Sequence, residues 1–172
     1  MNTYMIDDTT IVNIVQADPM DALVLAPRLR KPDVVEVTAM GSTPFKALMQ
    51  SFELPNAEVY TILETKSETQ ESKVIAMFGV ADSVEVPEYG VPWMLASSDL
   101  EDYSRPFLRY CKDWIDKLQD KYDVLYNMVH CQNAQGMRWL QWSGFDIKTS
   151  RTYGAGGEDF YLFIKEKKNV SN

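Results

Sequence analysis

The stretch from Val124 to Phe145 constrains the fold of this chain more than any other. Val124–Val129 is an apolar run that reads as a strand. Asn133 follows, a residue type whose side chain accepts from the unpaired N–H groups at a helix start. Ala134 onward reads as a short helix that stops at Gly144, the residue that most easily takes the left-handed conformation just past a helix end. A strand, an Asn cap, a helix and a Gly144-Phe145 exit in immediate succession specify an α/β arrangement.

The rest of the chain supplies the other elements. Thr10–Gln16 is β-rich and reads as a first strand. Asp18-Pro19 starts a helix running to about Arg30, and Lys31-Pro32 is expected to end it. Val34–Thr38 then reads as a short apolar link. Ser42-Thr43-Pro44 repeats the cap-plus-Pro signal for a second helix through Leu54, with Leu48, Met49 and Phe52 as its apolar stripe. Strands are expected over Ala57–Thr65, Lys73–Ala81 and Val91–Ala96, the first two joined by the polar loop Lys66–Ser72, the most mobile part of the domain. The longest helix spans about Ser104–Tyr122. Phe107, Cys111, Trp114 and Leu118, with Leu108 and Ile115, form one face that packs on a sheet. Two terminal β-runs, Asp146–Thr149 and Phe160–Lys165, flank Tyr153-Gly154-Ala155-Gly156-Gly157. That glycine-rich stretch has neither the Lys-Ser/Thr pair nor the following helix of a phosphate loop, and reads as a flexible turn.

Composition narrows the function classes. With 172 residues, 45% of them hydrophobic, the chain suits a single domain spanning 1–172 with its own core and a flexible tail from about 166. The net charge of −8 and the lack of a Lys/Arg cluster beyond Arg28, Arg30, Lys31 and the tail Lys165–Lys168 argue against nucleic acid as a partner. Cys111 and Cys131 have no CxxC spacing and no ligand set around them, so neither a disulfide nor a metal site is expected. The acidic start and the absence of a 20-residue apolar run argue against a signal peptide and a membrane span.

The Asn133–Phe145 segment resembles the closing motif of the Gcn5-related N-acetyltransferase superfamily, the acyl-CoA N-acyltransferase fold, and the element order matches it. A second resemblance runs from Val35 onward. Glu36-Val-Thr-Ala-Met-Gly-Ser-Thr-Pro44, Ile75-Ala-Met-Phe-Gly-Val80, Gly90-Val-Pro-Trp-Met-Leu95, Phe107-Leu-Arg109 and Asn133…Arg138-Trp-Leu…Gly144-Phe145 look like a phage family. It is related to the internal virion protein of T7-like phages and is described as acetyltransferase-like. Together these imply a single-domain α/β fold with a central mixed twisted sheet of about six to seven strands, flanked by about four helices. They imply a phage-encoded protein of virion assembly, present in the host cytoplasm during infection or in the virion, with protein partners.

The chemistry implied by the superfamily is less complete. Its cofactor-binding members carry a glycine-rich loop after the fourth strand, where backbone N–H groups and a helix N-terminus cradle a pyrophosphate. The matching stretch here, Ala96–Pro106, contains no glycine and carries Asp99, Glu101 and Asp102. Their repulsion, on the order of 1 kcal/mol each near a surface, exceeds a helix-dipole benefit of roughly 0.3–1 kcal/mol unless Arg105 or Arg109 reaches back. Ser98 and Glu101 instead suit a capping box. The superfamily's Tyr, which protonates the departing thiolate, falls at Leu140, which has no proton to give. Trp139 and Trp142 beside it offer only an indole N–H.

The remaining candidates are Glu36 and His130 as a general base, with Glu36 equally able to pair with Arg28 or Arg30. Leu95, Ala96, Ser97 and Asn133 are the candidates for cofactor contact. The expectation is an acyltransferase fold without the usual acetyl-CoA chemistry and with no cofactor, acting through protein contacts. The alternatives are an N-acetyltransferase using acetyl-CoA or another acyl-CoA on a host or phage protein amine, and a sensor holding such a molecule between the fourth and fifth strands.

Overall fold

The computed structural model describes residues 2–168, and side chains for all of these except 104–106 and 149–153. The strands are β1 (Asn2–Met5), β2 (Thr10–Gln16), β3 (Glu58–Lys66), β4 (Ser72–Asp82), β5 (Tyr89–Ala96), β6 (Val124–His130), β7 (Asp146–Tyr153) and β8 (Glu158–Glu166). The helices are α1 (Pro19–Leu25), α2 (Lys31–Ala39), α3 (Pro44–Gln50), α4 (Ser104–Lys121) and α5 (Ala134–Trp142). The strands form one sheet in the order β1-β2-β3-β4-β5-β6-β8-β7. Every neighbouring pair is antiparallel except β5 and β6, which run parallel.

Alternation along the strands divides the core by face. Val74 and Met77 of β4 pack with Ala22 and Leu25 of α1 and Leu48 of α3. Phe78, next along β4, packs on the other face with Phe107 and Cys111 of α4. Its ring meets Trp114 edge-on at a centroid distance of 4.8 Å. Further along α4, Ile115 and Leu118 join Leu125 and Val129 of β6, Leu140 of α5 and Phe163 of β8. Each such buried aliphatic or aromatic side chain contributes about 1.5–3 kcal/mol. The expected α4 stripe, apart from Leu108, which joins none of the clusters, is therefore the core face of the helix.

Several expectations are corrected. Strand β1 was not foreseen, and the sheet has eight strands rather than six to seven. Five α-helices stand among the described residues where about four were expected, because 31–39 is helical rather than an end and a link. Pro32 lies in the first turn, where its missing N–H costs nothing, and Asp33 sits beside the positive helix end. The first helix stops at Leu25 and the second at Gln50, each followed by a 3-10 turn. Among the described residues no capping box is seen at Ser98 and Glu101: Ser98–Tyr103 is a 3-10 turn, and α4 starts at Ser104 after Tyr103, which gives no side-chain cap. The supposed tail begins inside β8, and the Lys167 N–H still donates to Asp123 O at 2.8 Å. Residues 169–172 lie outside the described residues.

The glycine-rich turn is docked, not loose. Ala155 N donates to Ala39 O at 3.1 Å. Gly154 adopts φ +78°, and a Cβ there would sit 2.2 Å from the same carbonyl oxygen. Only glycine fits this left-handed, crowded position.

Candidate functional site

Strands β5 and β6 pair only where they begin. Their parallel register, among the described residues, covers Tyr89–Val124 and Gly90–Leu125, and beyond it the strands diverge. A divergence in mid-sheet leaves backbone N–H and C=O groups facing a gap, and those groups must find partners. An extended ligand arm would be one solution, since it can pair with a free strand edge. In this protein the partners come from the chain itself.

On the β5 side, Pro92 offers only a carbonyl, and Asn127 Nδ2 of β6 donates to it at 3.0 Å. Farther along, the Ala96 N–H donates to Asp33 Oδ2 at 2.8 Å, and Ala96 O accepts the Arg30 N–H at 2.9 Å. On the β6 side, the His130 N–H donates to Glu36 Oε1 at 2.9 Å. The same oxygen accepts Asn133 Nδ2 at 2.9 Å, while Asn133 Oδ1 caps α5 by accepting the Gly136 N–H at 2.9 Å. One turn of α2 thus spans the gap, with a carboxylate on each arm.

Electrostatics follow from that burial. Desolvation pushes the Asp33 carboxyl above its ordinary value, against the hydrogen bond and charge of Arg30 and the Ala96 N–H. Arg30 Nε lies 3.0 Å from Asp33 Oδ1. Desolvation also raises Glu36, with the Asn133 and His130 donors pulling the other way. Glu36 does not pair with Arg28 or Arg30 through a salt bridge. Arg28 instead bonds Asp99 Oδ2 at 2.5 Å, and Lys73 reaches Asp99 Oδ1 at 2.7 Å.

The loop after β5 is therefore not the bare acidic patch its sequence suggests. Burial pushes the Asp99 carboxyl up, but hydrogen bonds from Lys73 and Ser97 and the charges of Lys73 and Arg28 outweigh it and hold the carboxyl below its ordinary value. The neutralising cations come from the first 3-10 turn and from β4, not from Arg109; the Arg105 side chain lies outside the described residues. Arg28 and Lys73 together neutralise Asp99.

Each remaining candidate has a clear place. Leu95 packs with the α1–α3 side of the core. Ala96 is fully buried. Ser97 is buried too, its Oγ 3.0 Å from Ile75 O and 2.9 Å from Asp99 Oδ2. Leu140 lies in the core with Phe145 and Phe163, so the position of the superfamily's acid is a packing position here. Trp139 packs against both α4-side clusters, and its indole N–H is buried with no hydrogen-bond partner among the described residues.

His130, whose ring is buried, lies at the edge of an open cavity of about 370 Å³ lined also by Val35, Cys131, Gln132, Gly157, Glu158 and Asp159. Its Nδ1 accepts the Gln132 N–H at 3.2 Å, which puts the proton of the neutral ring on Nε2. Nε2 lies 2.6 Å from Glu158 Oε2. The structure thus brings Glu36, His130 and Asn133 together, and places Ala96 across the gap from them. Sequence reasoning missed Asp33, Asn127 and Lys73, and named Arg28 only as a partner for Glu36 and not for Asp99. For Asp33 the signal was present, because a Pro followed by Asp marks a first helical turn. For the other three the partners lie on separate elements, and no local pattern announces them.

The fold aligns along its length with solved acetyltransferases. A GCN5-related N-acetyltransferase from Kribbella flavida is 12% identical, with TM-score 0.62 over 91% of this chain and 98% of that one. The ribosomal-protein-S18-alanine N-acetyltransferase from Escherichia coli is 16% identical, with TM-score 0.60 over 94% and 99%. AAC(6')-Ib, solved in complex with ribostamycin and coenzyme A, is 10% identical, with TM-score 0.63 over 94% and 98%. The chain has the acyl-CoA N-acyltransferase-like fold of these proteins. No protein-family model and no curated protein matches it. No helix among the described residues is long and apolar enough to cross a membrane.

Proposed function

We propose that this chain is a phage-encoded acyltransferase-fold protein that acts in virion assembly through protein contacts, without turning over acetyl-CoA. One observation carries the reading. The strand edge that the β5–β6 divergence would offer to a cofactor arm is already taken by Asp33, Arg30, Asn127 and Glu36. A ligand entering there must break charge-assisted hydrogen bonds before making its own. The glycine-free loop and the Leu140 position add to the same side. The phage setting rests on the separated sequence motifs, and fold alone does not decide between functions.

Isothermal titration of acetyl-CoA into the protein tests the reading. No measurable heat is expected, and micromolar affinity would overturn it. Co-purification with capsid or internal core components of the phage particle is the positive expectation for the assembly role.

The second reading is an N-acyltransferase acting on a protein amine, and the His130–Glu158 pair beside an open cavity favours it. Some of the solved structures with this fold are described as complexes with coenzyme A. If this reading holds, incubation with acetyl-CoA and Lys-bearing peptides releases free thiol, and Glu36→Gln or His130→Asn lowers the rate at least tenfold. No thiol release from the wild type removes it.

A further inference from the structure

Helix α2 is fastened differently from the other four helices. Helices α1, α3, α4 and α5 each place at least one residue in an apolar cluster, but none of residues 31–39 belongs to any of the three. Val37 and Ala39 of α2 are buried outside those clusters, and hydrogen bonds tie the helix to the strands and to the glycine turn: Asp33 to Ala96, Glu36 to His130 and Asn133, and Ala39 O to the Ala155 N–H. Its ends are marked by breaks in helical geometry. Leu29, with ψ 139°, and Arg30, with ψ 151°, are extended before it, and Gly41 takes φ +77° after it. A segment that lies outside the main apolar clusters and is tied by separate hydrogen-bonded anchors opens before those clusters do.

We propose that α2 is a lid over the β5–β6 gap, hinged at Leu29-Arg30 and at Met40-Gly41, with Asp33 and Glu36 as its two clasps. Opening frees the Ala96 N–H and the His130 N–H together, while the Arg30 N–H stays on Ala96 O at the hinge and the three apolar clusters stay packed. The proposal rests on how α2 is held and not on the absence of acyl-CoA chemistry, because a lid can cover an idle gap or a working one.

Native-state hydrogen exchange, read amide by amide, tests this without any ligand. The Ala96 and His130 amides are expected to exchange at matching protection, at least tenfold faster than the central amides of β3 and β4. In Asp33→Asn/Glu36→Gln the same two amides should speed up by a further tenfold or more relative to the β3–β4 amides measured in the same sample. Taking that ratio keeps the readout valid if the variant also loses global stability. Should the double variant not fold, the wild-type comparison decides. Exchange of Ala96 and His130 at the rate of the β3–β4 centre overturns the lid, because only global unfolding would then expose them. Fast exchange of the two amides at unrelated protection also overturns it, since α2 would not be moving as a unit. Acetyl-CoA binding by the wild type would refute the preceding functional reading and leave this result untouched.

Discussion

Asp33 and Glu36, one helical turn apart on α2, accept N–H groups from opposite arms of the diverging strands, Ala96 on β5 at 2.8 Å and His130 on β6 at 2.9 Å. A parallel pair that separates in mid-sheet would leave buried donors and acceptors unpaired, which costs more than a single hydrogen bond returns. Two carboxylates at i and i+3 lie on the same helix face, so one short helix can serve both arms. The polar lining of the β5–β6 gap is thus satisfied from within the chain.

Removing one clasp should show what it holds. Glu36→Ala strands the His130 N–H and Asn133 Nδ2 in a buried place, at about 1–3 kcal/mol for each donor left without a partner. Glu36→Gln keeps an acceptor oxygen and should cost less than half as much. Urea unfolding of both variants checks the order. Equal losses would show that the carboxylate charge, and not the accepted hydrogen bonds, is what Glu36 contributes.

The pH dependence of stability should carry two opposite signatures. Asp33 and Glu36 have folded pKa values raised by burial. Their contribution is fully present below the unfolded value of about 4 and is lost as pH rises through the higher folded value. Asp99, held low by Lys73, Ser97 and Arg28 against its burial, behaves in reverse. Its contribution is present above the unfolded value and lost as pH falls through the lowered folded one. Unfolding midpoints across acid and neutral pH should therefore decline at both ends. Asp33→Asn/Glu36→Gln should flatten the neutral side only, and Lys73→Met should shrink the acid-side decline only. Profiles for both variants that run parallel to the wild type throughout would contradict the assignment.

How much of this was legible beforehand follows the range of each interaction. The α4 stripe, the Asn133 cap and the Gly144 exit are local patterns, and all three are present. Gly144 and Phe145 close α5 with N–H bonds to Gln141 O and Leu140 O, both at 3.0 Å. Helix α2 hides from a sequence reading because a Pro can stop one helix or start the next, and here Pro32 starts one with Asp33 beside it. Strand β1 is four residues long and packs only at an edge, so its sequence carries little periodicity. The turn at Asp7, whose Oδ1 accepts the Thr9 N–H at 2.8 Å, was its one local sign. The candidates Glu36, His130 and Asn133 lie together through the hydrogen bonds of Glu36, a wiring that the sequence does not show. Arg28, Lys73 and Asp99 meet from three distant segments, and no spacing rule connects them.

The docked glycine turn gives a backbone test. Gly154→Ala combines a left-handed backbone with a Cβ 2.2 Å from Ala39 O, and should cost about 2 kcal/mol or more. Gly156 has no such φ and only Glu158 Cγ nearby at 3.8 Å, so Gly156→Ala should change stability by about 0.5 kcal/mol or less. Thermal or chemical unfolding of the pair checks this. If both are neutral, the turn does not rest on α2 in solution.

Restoring the superfamily's Tyr should not restore its chemistry. Leu140 packs with Val129, Phe145 and Phe163, so Leu140→Tyr puts a larger side chain and a hydroxyl into a filled core. Overpacking of this kind costs typically 1–3 kcal/mol, and the hydroxyl adds a desolvation penalty if it finds no partner. Even with a phenol in place, the cofactor's route along β5 stays closed at Ala96 by Asp33 and Arg30. The expected result is a folded, less stable protein that releases no thiol from acetyl-CoA in the presence of amine acceptors. Acetyl transfer by Leu140→Tyr alone would show that the gap opens readily to the cofactor and that one missing acid had silenced the site. In that event α2 would cover a competent groove, and its hydrogen bonds would not exclude an acyl-CoA.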